Sequence, residues 1–276
     1  MLASRGEFCT EQLVAMPSVL IAPYITAWSA EQDLPCVLVE WPDRGIGYAN
    51  ELLSDRDRHG VLWQQTALRH RVGWPEFTRV RPLRQRRAME LLLCQVCGGP
   101  ADRNDDGVLW LQRDHRDDWP QWPEGMASME PPVCLTCVPV AMQMCPVLRR
   151  GAVLVHVREY QIAGVRGALY RRSVLAPSAI VAGNFTYDDP AVRRVLASAL
   201  IRELRGCTTV SFEELHAVGK ERFSPVTTRG MSRSDSSNSG ASGRLISWMI
   251  RYSCTHRSNP RSSLNRMTNV TSFLSP

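Results

Sequence analysis

Apolar and polar positions along this chain fall into short segments whose period changes several times. Cys36 to Glu40 (CVLVE) reads as a short buried strand, followed by a turn-rich stretch that carries Gly45 and Gly47. Gly60 to Trp63 (GVLW) starts another strand. The same four residues return at Gly107 to Trp110, with Asp55-Arg56 and Asp102-Arg103 at the same offset upstream. We read this echo as two hairpins written in the same turn chemistry rather than as a duplicated unit, because the thiol pair near the second copy has no counterpart in the first. Pro82 opens a predicted helix, LRQRRAMELLL, that runs into Cys94. Farther on, Val153, Val155 and Val157 alternate with Leu154, His156 and Arg158, the pattern of a half-buried strand. Gly164 and Gly167 are expected to break it, and strands around 165–171 and 180–187 then complete a small antiparallel sheet. Asp188-Asp189-Pro190 has the form of a helix start, and Val192, Val195, Leu196, Ala199, Leu200 and Leu204 make one apolar stripe that predicts a helix over 190–205, stopped by Gly206. Ser211 and Glu214 form a capping box for a further helix ending near Gly219.

Beyond Phe223 the composition changes to serine, asparagine and arginine without sustained periodicity, which predicts a disordered tail. The predicted class is therefore α+β, with a small antiparallel sheet and helices around a four-cysteine module and a disordered basic C-terminal tail. The expected division is an N-terminal α+β segment over 1–80, a metal module over 81–150, a β-meander with two helices over 151–223, and the tail over 224–276. This organisation changes the meaning of the charge. The net charge of +6 suggests nucleic acid, yet seven of the 33 basic residues and one of the 27 acidic residues lie after residue 223, leaving 26 of each sign before it. A neutral body is not the electrostatic footprint of a general phosphate binder.

Candidate chemistry concentrates in the cysteines. Cys94 and Cys97 form one C-x₂-C pair, and Cys134 and Cys137 form a second, with 36 residues between the pairs. Each such turn points two sulfurs at one place, and two turns complete the tetrahedron that Zn²⁺ accepts at about 2.3 Å per thiolate. In CQVCGG the glycine after the second cysteine lets the backbone turn beneath the metal so that amides face the sulfurs, a zinc knuckle. The second pair, in PPVCLTCVPV, reads as the start of a helix, and a knuckle facing such a pair resembles a treble clef. Zn²⁺ is thus the expected cofactor. Cys145 is expected on the helix that follows, with its sulfur in the core; Cys9, Cys36, Cys207 and Cys254 lack ligand spacing. Nine cysteines with paired C-x₂-C spacing fit a reducing compartment better than a disulfide framework, which makes the cytoplasm the expected location. The apolar stretch Leu13 to Ala30 is preceded by Glu7 and Glu11, interrupted by Pro17 and Pro23, and ends without a small-residue cleavage motif, so neither a signal peptide nor a membrane span is expected.

Three other features compete for a functional role. Arg79, Arg81, Arg84, Arg86 and Arg87 cluster just ahead of the knuckle, where they can meet nucleic-acid phosphate or neutralise thiolates and nearby aspartates, with Arg86 placed to pair Glu90. Trp119-Pro120-Gln121-Trp122-Pro123 offers a stacking platform or a mini-core beneath the metal loop. The predicted helix over 190–205 and the one after Ser211 have the spacing of a helix-turn-helix, although Glu213, Glu214 and Glu221 suit the major groove poorly. No phosphate-binding loop, dinucleotide fingerprint, nucleophile elbow or HExxH motif occurs.

Asp114 and His115 between the two cysteine pairs resemble the HNH nuclease family, in which a histidine activates water against a metal-bound phosphate. That family carries Asn or His just after the second pair, where this chain has Val138, Pro139 and Val140. A wider resemblance rests on PYITAWSAE, RQRRAM, CQVCGGPADR, GVLWL and PPVCLTC. These segments, from about Pro23 to Arg205, are similar to a group of actinobacterial cytoplasmic proteins with a four-cysteine zinc-ribbon or treble-clef-like segment. The resemblance implies no catalytic residue and leaves the tail outside. The expected function is a non-enzymatic zinc-binding protein, an accessory regulator of transcription acting by DNA or protein contact, without a small-molecule substrate. The alternatives are an HNH-like metal-dependent nuclease and a protein-binding adaptor using the tryptophan loop.

Overall fold

The structure is a computed structural model that describes residues 22–172 and 177–212. The expectations for the tail after 223, for the helix beyond Ser211, and for Cys9 and Cys254 lie outside the described residues. In chain order the elements are β1 (Thr26–Trp28), β2 (Leu38–Trp41), β3 (Gly45–Tyr48), β4 (Leu62–Trp63), β5 (Pro75–Val80), α1 (Pro82–Leu91), β6 (Arg103–Asn104), β7 (Gly107–Arg113), β8 (Met126–Ser128), α2 (Val138–Met144), β9 (Ala152–Arg171), β10 (Ser178–Thr186) and β11 (Val195–Val210). Strands dominate this mixed architecture. A seven-stranded sheet runs in the order β4-β11-β9-β7-β6, with β8 also on β11 and β10 also on β9. Among the described residues only the short β4–β11 pairing is parallel. Two small ribbons, β1–β5 and β2–β3, lie beside it. The stretches 1–80, 81–150 and 151–223 all contribute strands to the large sheet, through β4, through β6 to β8, and through β9 to β11.

The expected helix over 190–205 is a strand, which also removes the helix-turn-helix. Only Pro190–Arg194 forms a helical turn, of the 3₁₀ type, with the Asp189 carboxylate accepting from the Ala191 amide. From Val195 the chain pairs with β9 along its whole length. The misleading period comes from a bulge. Ala197 faces Gly167 and Ala199 faces Arg166, so Ser198 is an extra residue that switches the face presented by every position after it. Val195, Ala197 and Leu200 thereby reach the same core cluster, at spacings of two and three that imitate a helical stripe.

β9 departs from expectation in two ways. It is one continuous strand of 20 residues, and Gly164 and Gly167 lie within it. A Cβ at Gly164 would stand 2.1 Å from the Phe185 carbonyl oxygen, and one at Gly167 would stand 2.3 Å from the Leu196 carbonyl oxygen. The glycines therefore admit the neighbouring strands rather than ending their own. Nor is its first part half-buried, since residues 153–157 are buried on both faces. Val153, Val155 and Val157 join Val108, Trp110 and Leu204 on one face, whereas Leu154 joins Leu109 and Leu111 on the other, beneath the cysteine module. The GVLW echo separates into two settings: Leu62 and Trp63 lie at one edge of the sheet beside β11, and Val108 to Leu111 form the heart of β7 beside β9.

Candidate metal centre

The first cysteine pair sits on a tight turn built by local rules. α1 ends when Leu92 adopts a left-handed conformation (φ 54°), and the chain enters a narrow hairpin bridged by Leu93 and Pro100. Within it the Cys94 amide donates to the Gly99 carbonyl at 2.7 Å, and the Gly98 amide to the Cys94 carbonyl at 2.8 Å. Gly98 lies at φ +76°, and a side chain there would also collide with the Tyr24 ring at 2.8 Å, so only glycine fits. The turn directs two amides at sulfur: Val96 N–H donates to Cys94 Sγ and Gly99 N–H to Cys97 Sγ, each at 3.4 Å. This is the knuckle geometry read from CQVCGG.

Backbone pairing brings the second half into register with the first. Gln95 N–H donates to the Pro132 carbonyl, Asp102 N–H to Val133, and Val133 N–H to Leu109, so the approach to Cys134 is fastened to both the knuckle and β7. Cys134 and Cys137 then flank a 3₁₀ turn that leads directly into α2, and Cys137 is the residue before that helix, as expected. All four sulfurs lie within 4.8 Å of one another, and this is the one cluster of metal-ligand type among the described residues. Cys97 and Cys134 stand 3.8 Å apart. Four sulfurs each about 2.3 Å from a shared ion define a tetrahedron with edges of about 3.8 Å. The four cysteines can therefore hold a metal ion with little movement.

Protonation fits the same picture. Burial pushes the Cys94 thiol up to about 11, and burial with neighbouring thiols also raises Cys137. Burial acts in the same direction on Cys134, but hydrogen bonds from the Thr136 hydroxyl and the Cys137 thiol outweigh it and bring that thiol below its ordinary value. Four crowded thiolates repel one another, and a bound cation is what permits all of them to ionise. The core side of the site is dry: Cys94 packs with Val96, Leu109, Leu111, Val133, Val138 and Leu154. Cys145 stands outside the sulfur cluster at the end of α2, only half-buried, and lines an apolar groove of about 200 Å³ between the knuckle, α2 and the β1–β5 ribbon. Cys36 donates to Gln65 Oε1 at 3.0 Å, and Cys207 lies 3.8 Å from the Pro123 carbonyl, both apart from the cluster.

The arginine cluster is largely turned inward. Arg84 grips both carboxylate oxygens of Glu31, at 2.6 and 2.7 Å, and also donates to the Tyr24 and Thr26 carbonyls. Arg81, only 1% exposed, stands 3.4 Å from the same carboxylate. Arg79 pairs with Glu76 and the Glu31 carbonyl; Arg86 pairs with Glu90 and covers the Trp63 ring. Arg87 is exposed on α1. Of the two roles the sequence leaves open for the cluster, buried Arg81 and Arg84 take charge neutralisation, although their partner is Glu31 and not a thiolate or one of the nearby aspartates. Glu31, their common partner, carries no sequence signal, because it lies some fifty residues upstream in a loop.

Among the competing features, Trp122 is 7% exposed and joins Trp110, Met126 and Leu204 in the core, with Trp119 against the same cluster. The loop is a mini-core, not a platform. His115 pairs with Asp118 at 2.9 Å, and the nearby Asp114 is held by Arg116. Val138, which occupies the first position where a nuclease of the HNH type would place a ligand, is buried beside Cys94. Among the described residues no helix is long and apolar enough to cross a membrane. Comparison with protein-family models, curated proteins and solved structures finds no match to this chain. Of the motifs quoted from the sequence, the four-cysteine cluster is the part that the structure assembles.

Proposed function

We propose that this chain is a zinc-binding protein in which Cys94, Cys97, Cys134 and Cys137 hold one Zn²⁺ as a structural centre, and that it acts as a non-enzymatic accessory regulator through contact with another protein. The observation that carries the metal assignment is the set of four sulfurs within 4.8 Å, two of them already accepting hydrogen bonds from knuckle amides. Thiolates are soft ligands that disfavour Mg²⁺ and Ca²⁺, and a tetrahedral set of four leaves no open position for substrate or water. A closed site of this kind supplies folding free energy instead of Lewis-acid chemistry. Protein contact is preferred to DNA contact because Arg81 and Arg84, the centre of the basic cluster, are consumed by Glu31.

Elemental analysis of the purified chain is expected to find one zinc per molecule. Cys94→Ser and Cys134→Ser are each expected to lose the metal and to expose amides over about 90–150 to hydrogen exchange. Full metal retention in both variants would remove the site. Iron in place of zinc would keep the ligand set and change the cofactor. Salt-sensitive DNA binding by a chain ending at 223 would replace protein contact with DNA contact.

A further inference from the structure

We infer that the outer edge of β10 is a self-association surface, on which a second copy of this chain adds its own β10 antiparallel to the first. The inference goes beyond the proposed function and does not depend on the metal. β10 pairs with β9 through Ser178 to Thr186, and among the described residues no element pairs with its other side. A strand edge of this kind presents a row of backbone donors and acceptors to any extended chain. Monomeric proteins blunt such edges with lysine, proline, inward charges or bulges. SAIVAGNFT contains no charged residue and no proline, and its single protective device is a register shift between Ala179 and Val181. Ile180 and Val181 are each 52% exposed.

Charge at the two ends selects the occupant. Arg171 pairs with Ser178 across the hairpin, Arg172 follows it, and both are exposed. The nearest described carboxylate to Arg172 is Glu40, at 3.9 Å. At the opposite end exposed Asp188 lies two residues past Thr186. The strand itself carries no charged residue, Arg171 and Arg172 lie at one end and Asp188 at the other, and the Arg166 guanidinium of β9 reaches across to Asn184 near the Asp188 end at 3.1 Å. Antiparallel pairing of two copies sets the Ser178 end of each against the Thr186 end of its neighbour. Arg171 and Arg172 of one copy then approach Asp188 of the second, and the twofold axis repeats the contact. Parallel pairing would oppose like charges at both ends. The antiparallel arrangement is isologous and closes at two copies.

Sedimentation velocity of the full, metal-loaded chain across micromolar concentrations is expected to show a monomer–dimer equilibrium. Val181→Lys places a charge on the edge and is expected to raise the dimer dissociation constant at least about tenfold, with far-UV circular dichroism and melting temperature unchanged. Asp188→Arg is expected to weaken the dimer through like charge, and Asp188→Arg combined with Arg171→Asp and Arg172→Asp is expected to restore it, which a purely structural role would not do. A chain that stays monomeric throughout would overturn the inference, as would a dimer unmoved by Val181→Lys or an open-ended series of larger species. Failure of the charge-swapped variant to recover, with its fold intact, would overturn the antiparallel geometry. A monomer that binds an added extended peptide along β10 would assign the edge to a different partner.

Discussion

Glu31 shows how one residue can redirect the reading of five others. Its carboxylate is almost completely buried, and it receives Arg84 through two bonds, the Trp28 amide at 2.9 Å and Arg81 at 3.4 Å. Removing it by Glu31→Ala would leave two guanidinium groups buried without a counter-charge, which is expected to destabilise the fold by about 3–5 kcal/mol in chemical denaturation. Burial alone would raise the Glu31 pKa, but the bonds from Arg84 and Trp28 and the charges of both arginines outweigh it, so the carboxyl titrates below its ordinary value. The folded-state pKa is thus depressed. The stability it contributes is fully present above the unfolded-state value of about 4.3 and is lost as pH falls through the folded value. The stability difference between the native chain and Glu31→Gln is therefore expected to stay constant above about pH 5 and to shrink on further acidification. A difference that grew in acid would contradict this sign.

At the scale of elements, β11 is held in place by register more than by propensity. Its apolar positions satisfy a helical stripe equally well, and what decides between them is a pairing of 14 residues with β9, from Val195↔Leu169 to Val210↔Leu154. Ser198 is the adjustment that keeps Val195, Ala197 and Leu200 in one core. Deleting Ser198 would turn one side of the bulge to the wrong face, since a one-residue slip inverts every side chain beyond it. Loss of the cooperative thermal transition, or a fall in melting temperature well beyond that of Ser198→Ala, is the expected result. Equal melting of the two variants would show that the bulge is not needed.

Considered as a whole, the molecule buries both faces of its large sheet where β7 and the first residues of β9 lie side by side. One face of β7 and β9 packs against the tryptophan loop, and the other supports the cysteine module, so metal loss is expected to loosen the second face first. Charge is distributed on the same scale. The 26 positive and 26 negative residues before position 224 leave seven arginines against one aspartate in the remainder. DNA binding by the full chain, where it occurs at low salt, is expected to disappear on truncation after residue 223, because up to seven phosphate-neutralising charges are removed. Gel-shift titrations of both lengths at two salt concentrations test this. Arg84→Ala is expected to reduce stability instead of DNA affinity, since its guanidinium is committed to Glu31.

By itself the sequence determined the features whose causes are local. Proline at the start of α1, glycine after Cys97 and the two C-x₂-C spacings each specify a conformation within a few residues, and those parts were legible: the helix at 82–91, the knuckle, the helix after Cys137 and the four sulfurs that can converge. The repeated GVLW likewise announced two strands. Tertiary structure alone decided what depends on partners distant along the chain. An apolar stripe carries no mark of whether its residues will face a core as a helix or, through one bulge, as a strand, and β9 supplied that answer from some thirty residues away. Nor does an arginine cluster state whether it faces solvent or a carboxylate, and Glu31, about fifty residues upstream, turned it inward. The physical reason is the same in both cases. Local conformational preferences amount to less than about 1 kcal/mol per residue, whereas burial of an apolar side chain or loss of a partner from a buried ion pair is worth several times that.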